Sequence, residues 1–178
     1  VTEVTRQPGA VTTGAFGAFS SPYPFGTGGG AYLKWQANGI NTVDLFGRSV
    51  DIAGDVNNDG YDDIIVGSDK FDNPAGVANS GSAFVFSGQD GSILYQVDGY
   101  QGNDNLGYAV SGVGDIDDDG YDDFIIGAYF SDPGGVSNAG SAYVFSGASG
   151  SLMFQVDGTA SNERLGFSVT GLGDVNND

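Results

Sequence analysis

Residues 47–55 read GRSVDIAGD, and the same pattern returns as GYAVSGVGD at 107–115 and as GFSVTGLGD at 166–174. The leading glycines of these three stretches are separated by 60 and 59 residues. Self-similarity at a fixed period is the mark of a repeat architecture. The sequence therefore predicts a chain built from repeats of about 60 residues.

The interior of each repeat has the pattern of short β-strands. In the first repeat, blocks of four or five apolar residues alternate with clusters of Gly, Asn and Asp, which predicts strands at about 47–53, 62–67, 82–87 and 92–97. Four short strands per repeat is the content of one β-propeller blade. A β-sandwich could hold as many strands, but it would not predict the regular repeat. We predict an all-β fold of four-stranded antiparallel propeller blades.

Five segments follow from the register of the repeats. They are a flexible N-terminal segment at 1–9, a partial blade with strands two to four at 10–45, complete repeats at 46–105 and 106–164, and strand one of a further repeat with a truncated loop at 165–178. The two ends together make one split blade, so the chain holds about three blade equivalents. Propellers close with about 4–8 blades. We therefore expect either further repeats in a longer chain or head-to-tail joining to other copies of this one.

Composition excludes several classes of protein. The 178 residues include 5 Lys and Arg, 23 Asp and Glu, no His and no Cys, for a formal charge of -18. Without His or Cys there is no Ser-His-Asp triad, no Cys nucleophile, no disulfide and no ordinary zinc site. The acidic balance argues against nucleic-acid binding. No apolar run approaches the roughly 18 residues of a membrane helix, and we expect any signal peptide to be absent or already removed.

An acidic motif lies between strands one and two of each repeat, at 55–63 (DVNNDGYDD) and 115–123 (DIDDDGYDD). In the pattern D-x-[DN]-x-D-G-x-x-D, side-chain oxygens at positions 1, 3, 5 and 9 and a backbone carbonyl at position 7 can surround one hard cation, and Gly at position 6 permits the sharp turn. The candidate metal ligands are Asp55, Asn57, Asp59, Tyr61 and Asp63 in the first loop, Asp115, Asp117, Asp119, Tyr121 and Asp123 in the second, and Asp174, Asn176 and Asp178 in a third, incomplete loop.

Calcium is the expected ion because every ligand is a hard oxygen in a flexible loop. An EF-hand starts in the same way but needs a Glu at position 12 and flanking helices, whereas position 12 is Val66 or Ile126 here. The alternative is a plain acidic turn. However, the second loop places six carboxylates in nine residues, and such like charges repel when no cation is near. Asp117 replaces Asn57, so we expect tighter binding in the second loop.

Two motif positions are predicted to stay out of the ligand set. Asn58 and Asp118, at position 4, are expected to face solvent. Asp62 and Asp122, at position 8, are expected to face solvent or to support the ligands from outside.

These features resemble the FG-GAP repeats of integrin α-subunit propellers. The "FG" is Phe46-Gly47, with Leu106-Gly107 and Leu165-Gly166 as variants, and 67–69 and 127–129 are variants of "GAP". The resemblance implies a β-propeller, usually seven-bladed, with calcium in its hairpin loops and an extracellular or cell-surface location. It does not choose among adhesion, lectin and accessory-domain functions.

The function expected from these observations is a non-enzymatic, calcium-stabilised module for adhesion or assembly. The alternatives are a carbohydrate-binding propeller, with Tyr100 or Tyr129 as contacts, and a domain of a surface enzyme. A hydrolase or lyase with a carboxylate pair is disfavoured because 12 of the 23 acidic residues lie in the predicted loops. The expected partners are other copies, further repeats, a surface protein or a glycan, with neither nucleic acid nor membrane insertion.

Overall fold

A computed structural model describes residues 35–39, 41 and 43–173. The predicted segment at 1–9, most of the one at 10–45, and Asp174, Asn176 and Asp178 lie outside the described residues. Within the described part the strands are β1 (Val50–Gly54), β2 (Asp63–Ser68), β3 (Ser82–Phe86), β4 (Ile93–Asp98), β5 (Leu106–Gly114), β6 (Asp123–Ala128), β7 (Ser141–Phe145) and β8 (Leu152–Asp157). One turn of 3-10 helix, at Pro133–Gly135, joins β6 to β7.

The strands form two separate four-stranded sheets, with the orders β1-β2-β3-β4 and β5-β6-β7-β8, and every pairing is antiparallel. We call them the first and second blades. The all-β prediction with four strands per repeat is confirmed, and the first-blade strands differ from their predicted bounds by at most three residues. Both blades have register shifts near the end of the first strand and near the end of the third. The second blade has a further shift between Leu106 and Ala109 at the start of β5.

The largest apolar core lies between the two blades. Its buried side chains come from both sheets, and the partly buried Leu94, Tyr95 and Val97 of β4 pack against it. The buried members are Ala53, Val56, Ile65, Ala83, Val85, Leu106, Val110, Phe124, Ile126, Ala128 and Phe145. Burial of this shared face therefore holds the two sheets together.

The third strand of the first blade is buried on both faces. Ala83 and Val85 join the core between the blades, whereas Phe84 and Phe86 join a second cluster that includes Trp35 and Phe46. Successive side chains of a strand point to opposite faces of its sheet. Trp35, whose ring lies 5.9 Å from that of Phe86, thus contributes to blade packing.

The glycines that recur at the blade junctions of this chain have a steric role. A Cβ atom added at Gly67 would overlap the carbonyl oxygen of Gly107, and one added at Gly127 would overlap that of Gly166. Each blade therefore accepts the backbone of the next repeat directly against its second strand. Gly107 also has a φ of +83°, a conformation that other residues rarely adopt.

Trp35 and Tyr95, which hold the same place in successive repeats, each pack against a turn of the following blade. Trp35, Tyr95 and Phe154 are spaced by 60 and 59 residues. A Cβ at Gly91 would overlap the ring of Trp35, and a Cβ at Gly150 would overlap the ring of Tyr95. Phe154, by contrast, is 57% exposed.

We predict that Tyr95→Ala lowers the free energy of unfolding by about 2–3 kcal/mol. The substitution removes the ring that stacks on Phe124 at 6.0 Å and the hydroxyl that donates to the Gly147 carbonyl at 2.6 Å. The matched control, Phe154→Ala, should cost less than about 1 kcal/mol because its ring is largely exposed. Urea denaturation measures both values, and equal losses would contradict the packing described here.

Candidate metal centre

The two acidic motifs form hairpin bends of the same shape, between β1 and β2 and between β5 and β6. Asn58 and Asp118 have left-handed backbones with φ of 56° and 59°, and Gly60 and Gly120 follow with φ of 88° and 90°. Asn and Asp tolerate this conformation better than other non-glycine residues do. Asn58 and Asp118 are exposed, as predicted for position 4.

The first aspartate of each bend accepts hydrogen bonds from the backbone across the turn. Asp55 accepts from the amides of Asp59 at 2.9 Å and Gly60 at 2.8 Å. Asp115 accepts from the amides of Asp119 at 3.1 Å and Gly120 at 2.8 Å. These bonds hold the first carboxylate over the interior of the bend.

The last aspartate of each motif is buried and ties the bend to a neighbouring hairpin. Asp63 is fully buried and accepts from the amides of Val56 at 3.0 Å and Gly88 at 2.9 Å. The turn to which Gly88 belongs joins β3 to β4. The bend, β2 and the β3–β4 turn are therefore linked through one carboxylate.

The second blade repeats this arrangement. Asp123 is fully buried and accepts from the amides of Ile116 at 3.0 Å and Gly147 at 2.9 Å. Burial raises the pKa of the Asp123 carboxyl, as it does that of Asp63; the two amide hydrogen bonds oppose the rise, and neighbouring carboxylates add to it. A bound cation would favour the charged form of both groups.

Three carboxylates of the second loop converge on one point. Oxygens of Asp115, Asp117 and Asp123 all lie within 4.8 Å of one another. Asp119 lies outside this group of three, and its Oδ1 accepts from the Tyr121 amide at 3.0 Å. The converging atoms are all carboxylate oxygens, a donor set that suits a hard divalent cation.

The first loop differs where an amide replaces a carboxylate. Asn57 donates from Nδ2 to Asp59 at 3.0 Å, and its Oδ1 accepts from the Asp59 amide at 3.0 Å. Asp59 Oδ1 in turn accepts from the Tyr61 amide at 2.9 Å. The side chain of Tyr61 is 50% exposed, and its backbone amide contributes a hydrogen bond within the bend.

Two of the three positive side chains in the described residues lie against aromatic rings. The Arg48 guanidinium lies 4.3 Å from the centre of the Tyr108 ring, and that of Arg164 lies 5.2 Å from the centre of the Phe130 ring. A bound cation would reduce the repulsion among the loop carboxylates.

Asp122 supports a predicted ligand from outside, as position 8 allows, but that ligand belongs to the first loop rather than to its own. Its Oδ2 accepts from the Asp55 amide at 2.7 Å, and its own amide donates to the Asp55 carbonyl at 3.2 Å. Asp62 holds the same motif position in the first loop and is exposed. No local signal separates the two residues, because the difference comes from the blade packed beside each loop.

Comparison with known proteins agrees with the blade geometry. The family model for the FG-GAP repeat matches residues 46–86 and 106–145, the stretches that hold the first three strands of each blade and both bends. The chain contains two FG-GAP repeats.

Integrin α subunits are similar to this chain over most of its length. It is 31% identical to mouse integrin alpha-3 in an alignment of 162 residues that covers 84% of the chain. It is 28% identical to Drosophila melanogaster integrin alpha-PS2 in an alignment of 177 residues that covers 87% of the chain. Mouse integrin alpha-IIb is 35% identical over 96 residues. The chain spans only 14%, 12% and 9% of these relatives. In its described part no helix has the length and apolar character needed to span a membrane.

We predict that Asp123→Asn lowers the free energy of unfolding by about 1–3 kcal/mol in excess chelator. The amide group would turn an N–H toward one of the two backbone amides that Asp123 now accepts from. Asp118→Asn removes the same charge at an exposed position and should change stability by less than about 0.5 kcal/mol. Thermal or urea denaturation without metal measures both, and equal effects would contradict a tethering role for Asp123.

Proposed function

We propose that this chain is a calcium-stabilised, non-enzymatic module for extracellular adhesion or protein assembly. The observation that carries the proposal is the convergence of Asp115, Asp117 and Asp123 within 4.8 Å in a bend that recurs in the preceding repeat. Calcium accepts 6–8 oxygen ligands in flexible loops, and extracellular modules bind it in the range of about 10⁻⁴–10⁻³ M. That chemistry, together with the similarity to integrin α subunits, supports a location outside the cell.

The proposed ligands keep the roles expected from the motif. In the second loop, Asp115, Asp117, Asp119 and Asp123 supply carboxylates and Tyr121 a backbone carbonyl. Asp55, Asn57, Asp59, Tyr61 and Asp63 do the same in the first loop, and Asp174, Asn176 and Asp178 begin a third site. The ion supplies positive charge to a bend crowded with carboxylates, and each bend joins two strands of one blade. Calcium would accordingly stabilise the fold rather than take part in a reaction.

Calcium should raise the melting temperature by about 5–10 °C when it is present at about 100 times its dissociation constant, because only the folded bends bring the ligands together. Differential scanning calorimetry in calcium and in excess chelator measures the shift. Magnesium at the same concentration serves as the control and should give a smaller shift, since it prefers strict octahedral coordination. A curve that neither ion moves would contradict the proposal.

The partner in assembly is proposed to be another FG-GAP repeat. On the face of the second blade that points away from the first, Phe154 and Val156 are each 57% exposed. Their equivalents in the first blade, Tyr95 and Val97, pack against the core shared with the second blade. An apolar face of this kind is typical of an interaction site. The blade-to-blade contact already seen in the chain supports a following repeat as its occupant.

We predict concentration-dependent self-association of this chain through the exposed face, and Phe154→Asp should abolish it because the packed ring would be replaced by a charge. Sedimentation velocity in calcium measures the association. Asp157→Asn, which alters an exposed residue at the end of the same strand, is the control and should leave it unchanged. A wild-type chain that stays monomeric at the highest soluble concentration would contradict this use of the face.

Carbohydrate binding is the second candidate, and Tyr100 favours it. The side chain of Tyr100 is 90% exposed, as a sugar-stacking residue requires. Tyr129, the other residue named for this role, packs on Tyr108 and Phe130 with ring centres 4.1 Å away in both cases. A glycan array that shows binding by the wild type and none by Tyr100→Ala would favour this candidate over assembly alone.

A further inference from the structure

The first loop is held from outside by the second blade. The carboxylate of Asp122 accepts from the Asp55 amide at 2.7 Å, and the Asp122 amide donates to the Asp55 carbonyl at 3.2 Å. This pair of bonds spans 67 residues of sequence and joins one bend to the other. A Cβ at Gly54 would overlap the Asp122 carboxylate, so only glycine before Asp55 allows the approach.

The next residue of the first loop is held by the same blade. Val56 is fully buried in the core between the blades, and a Cβ at Gly147 of the second blade would lie 3.2 Å from the Val56 carbonyl. Ile116, the equivalent of Val56 in the second loop, is 46% exposed. Two consecutive residues of the first bend, Asp55 and Val56, are therefore fixed by contacts that the second bend does not receive from the described residues.

These contacts act on the residue that organises the bend. Asp55 bridges the amides of Asp59 and Gly60 with its two carboxylate oxygens. The direction of the Asp55 side chain depends on the conformation of the Asp55 backbone. Asp122 fixes that backbone by hydrogen bonds to both its amide and its carbonyl. A ligand whose backbone is fixed before the ion arrives loses less conformational freedom on binding.

We propose that Asp122 is a positioning residue for the metal site of the preceding repeat, and that each FG-GAP loop is completed in this way by the blade that follows it. The inference rests on the proposed calcium function and adds that the two sites are supported unequally. Asp122 is not itself a ligand of the first site. Charge count favours the second loop, whereas support from the neighbouring blade favours the first, so the second loop becomes fully organised when another repeat docks against it.

Thermodynamic linkage makes the relation reciprocal. If docking of the second blade tightens calcium binding in the first loop, calcium in the first loop strengthens the contact between blades by the same factor. The ion thus stabilises the array as well as the hairpin that binds it.

The test compares Asp122→Ala with Asp62→Ala in calcium titrations followed by two-dimensional NMR. Both variants remove one carboxylate from the same motif position, and Asp62 belongs to the first loop itself. The amide signals of Gly60 and Gly120 report the two sites separately, since each amide donates to the first aspartate of its own loop at 2.8 Å. Asp122→Ala should raise the calcium midpoint at Gly60 about tenfold, and Asp62→Ala should change it less than about twofold.

Hydrogen exchange without metal tests the contact between Asp122 and Asp55 directly. In excess chelator, the amide of Asp55 should exchange with solvent at least about tenfold faster in Asp122→Ala than in the wild type or in Asp62→Ala. Asp122→Asn retains an oxygen acceptor, so it serves if the alanine variant fails to fold, and it should shift the Gly60 midpoint in the same direction by about threefold.

The outcomes separate this inference from the calcium function. If neither Gly60 nor Gly120 responds to calcium in the wild type, the proposed function fails and the inference fails with it. If both respond and Asp122→Ala or Asp122→Asn leaves the Gly60 midpoint where Asp62→Ala leaves it, calcium binding stands and the positioning role of Asp122 is overturned.

Discussion

The first blade is apolar on both faces, and the rest of the structure depends on covering them. Along β3, Ala83 and Val85 point toward the second blade while Phe84 and Phe86 point toward the residues that precede β1. A four-stranded sheet with two apolar faces loses most of its hydrophobic stabilisation when it stands by itself. Stacking on neighbours of the same kind therefore stabilises it, and a nearly constant repeat length keeps each successive face in register.

The same stacking explains how the acidic bends relate to the core. Each bend lies at the end of a blade, but the residue after its first aspartate points into the junction with the next blade. Val56 is buried there, and Ile116 is left 46% exposed where no described blade follows. The backbone of the first bend and the packing of the two blades are therefore linked by the same contacts, and this link underlies the proposed effect of calcium on assembly.

Much of the fold could be predicted because the same local sequence pattern occurs in each repeat. The repeat predicted four strands in each blade, and the observed strands of the first blade lie within three residues of their predicted bounds. The candidate ligands followed from spacing within nine residues. The grouping of Asp115, Asp117 and Asp123, with Asp119 outside it, could not be predicted, because it depends on side-chain directions set by backbone hydrogen bonds across the bend.

By itself, the sequence determined the all-β class, the number of strands in each repeat and the position of the acidic bends, since these depend on local patterns that recur. Only the tertiary structure decided which of two equivalent motif positions forms hydrogen bonds to the loop of the neighbouring blade. Asp62 is exposed and Asp122 binds the backbone of Asp55, although both hold the same place in the motif. The physical reason is that a hydrogen bond between blades needs a partner from the adjacent repeat. The sequence of one repeat does not specify which residues of another repeat will lie beside it.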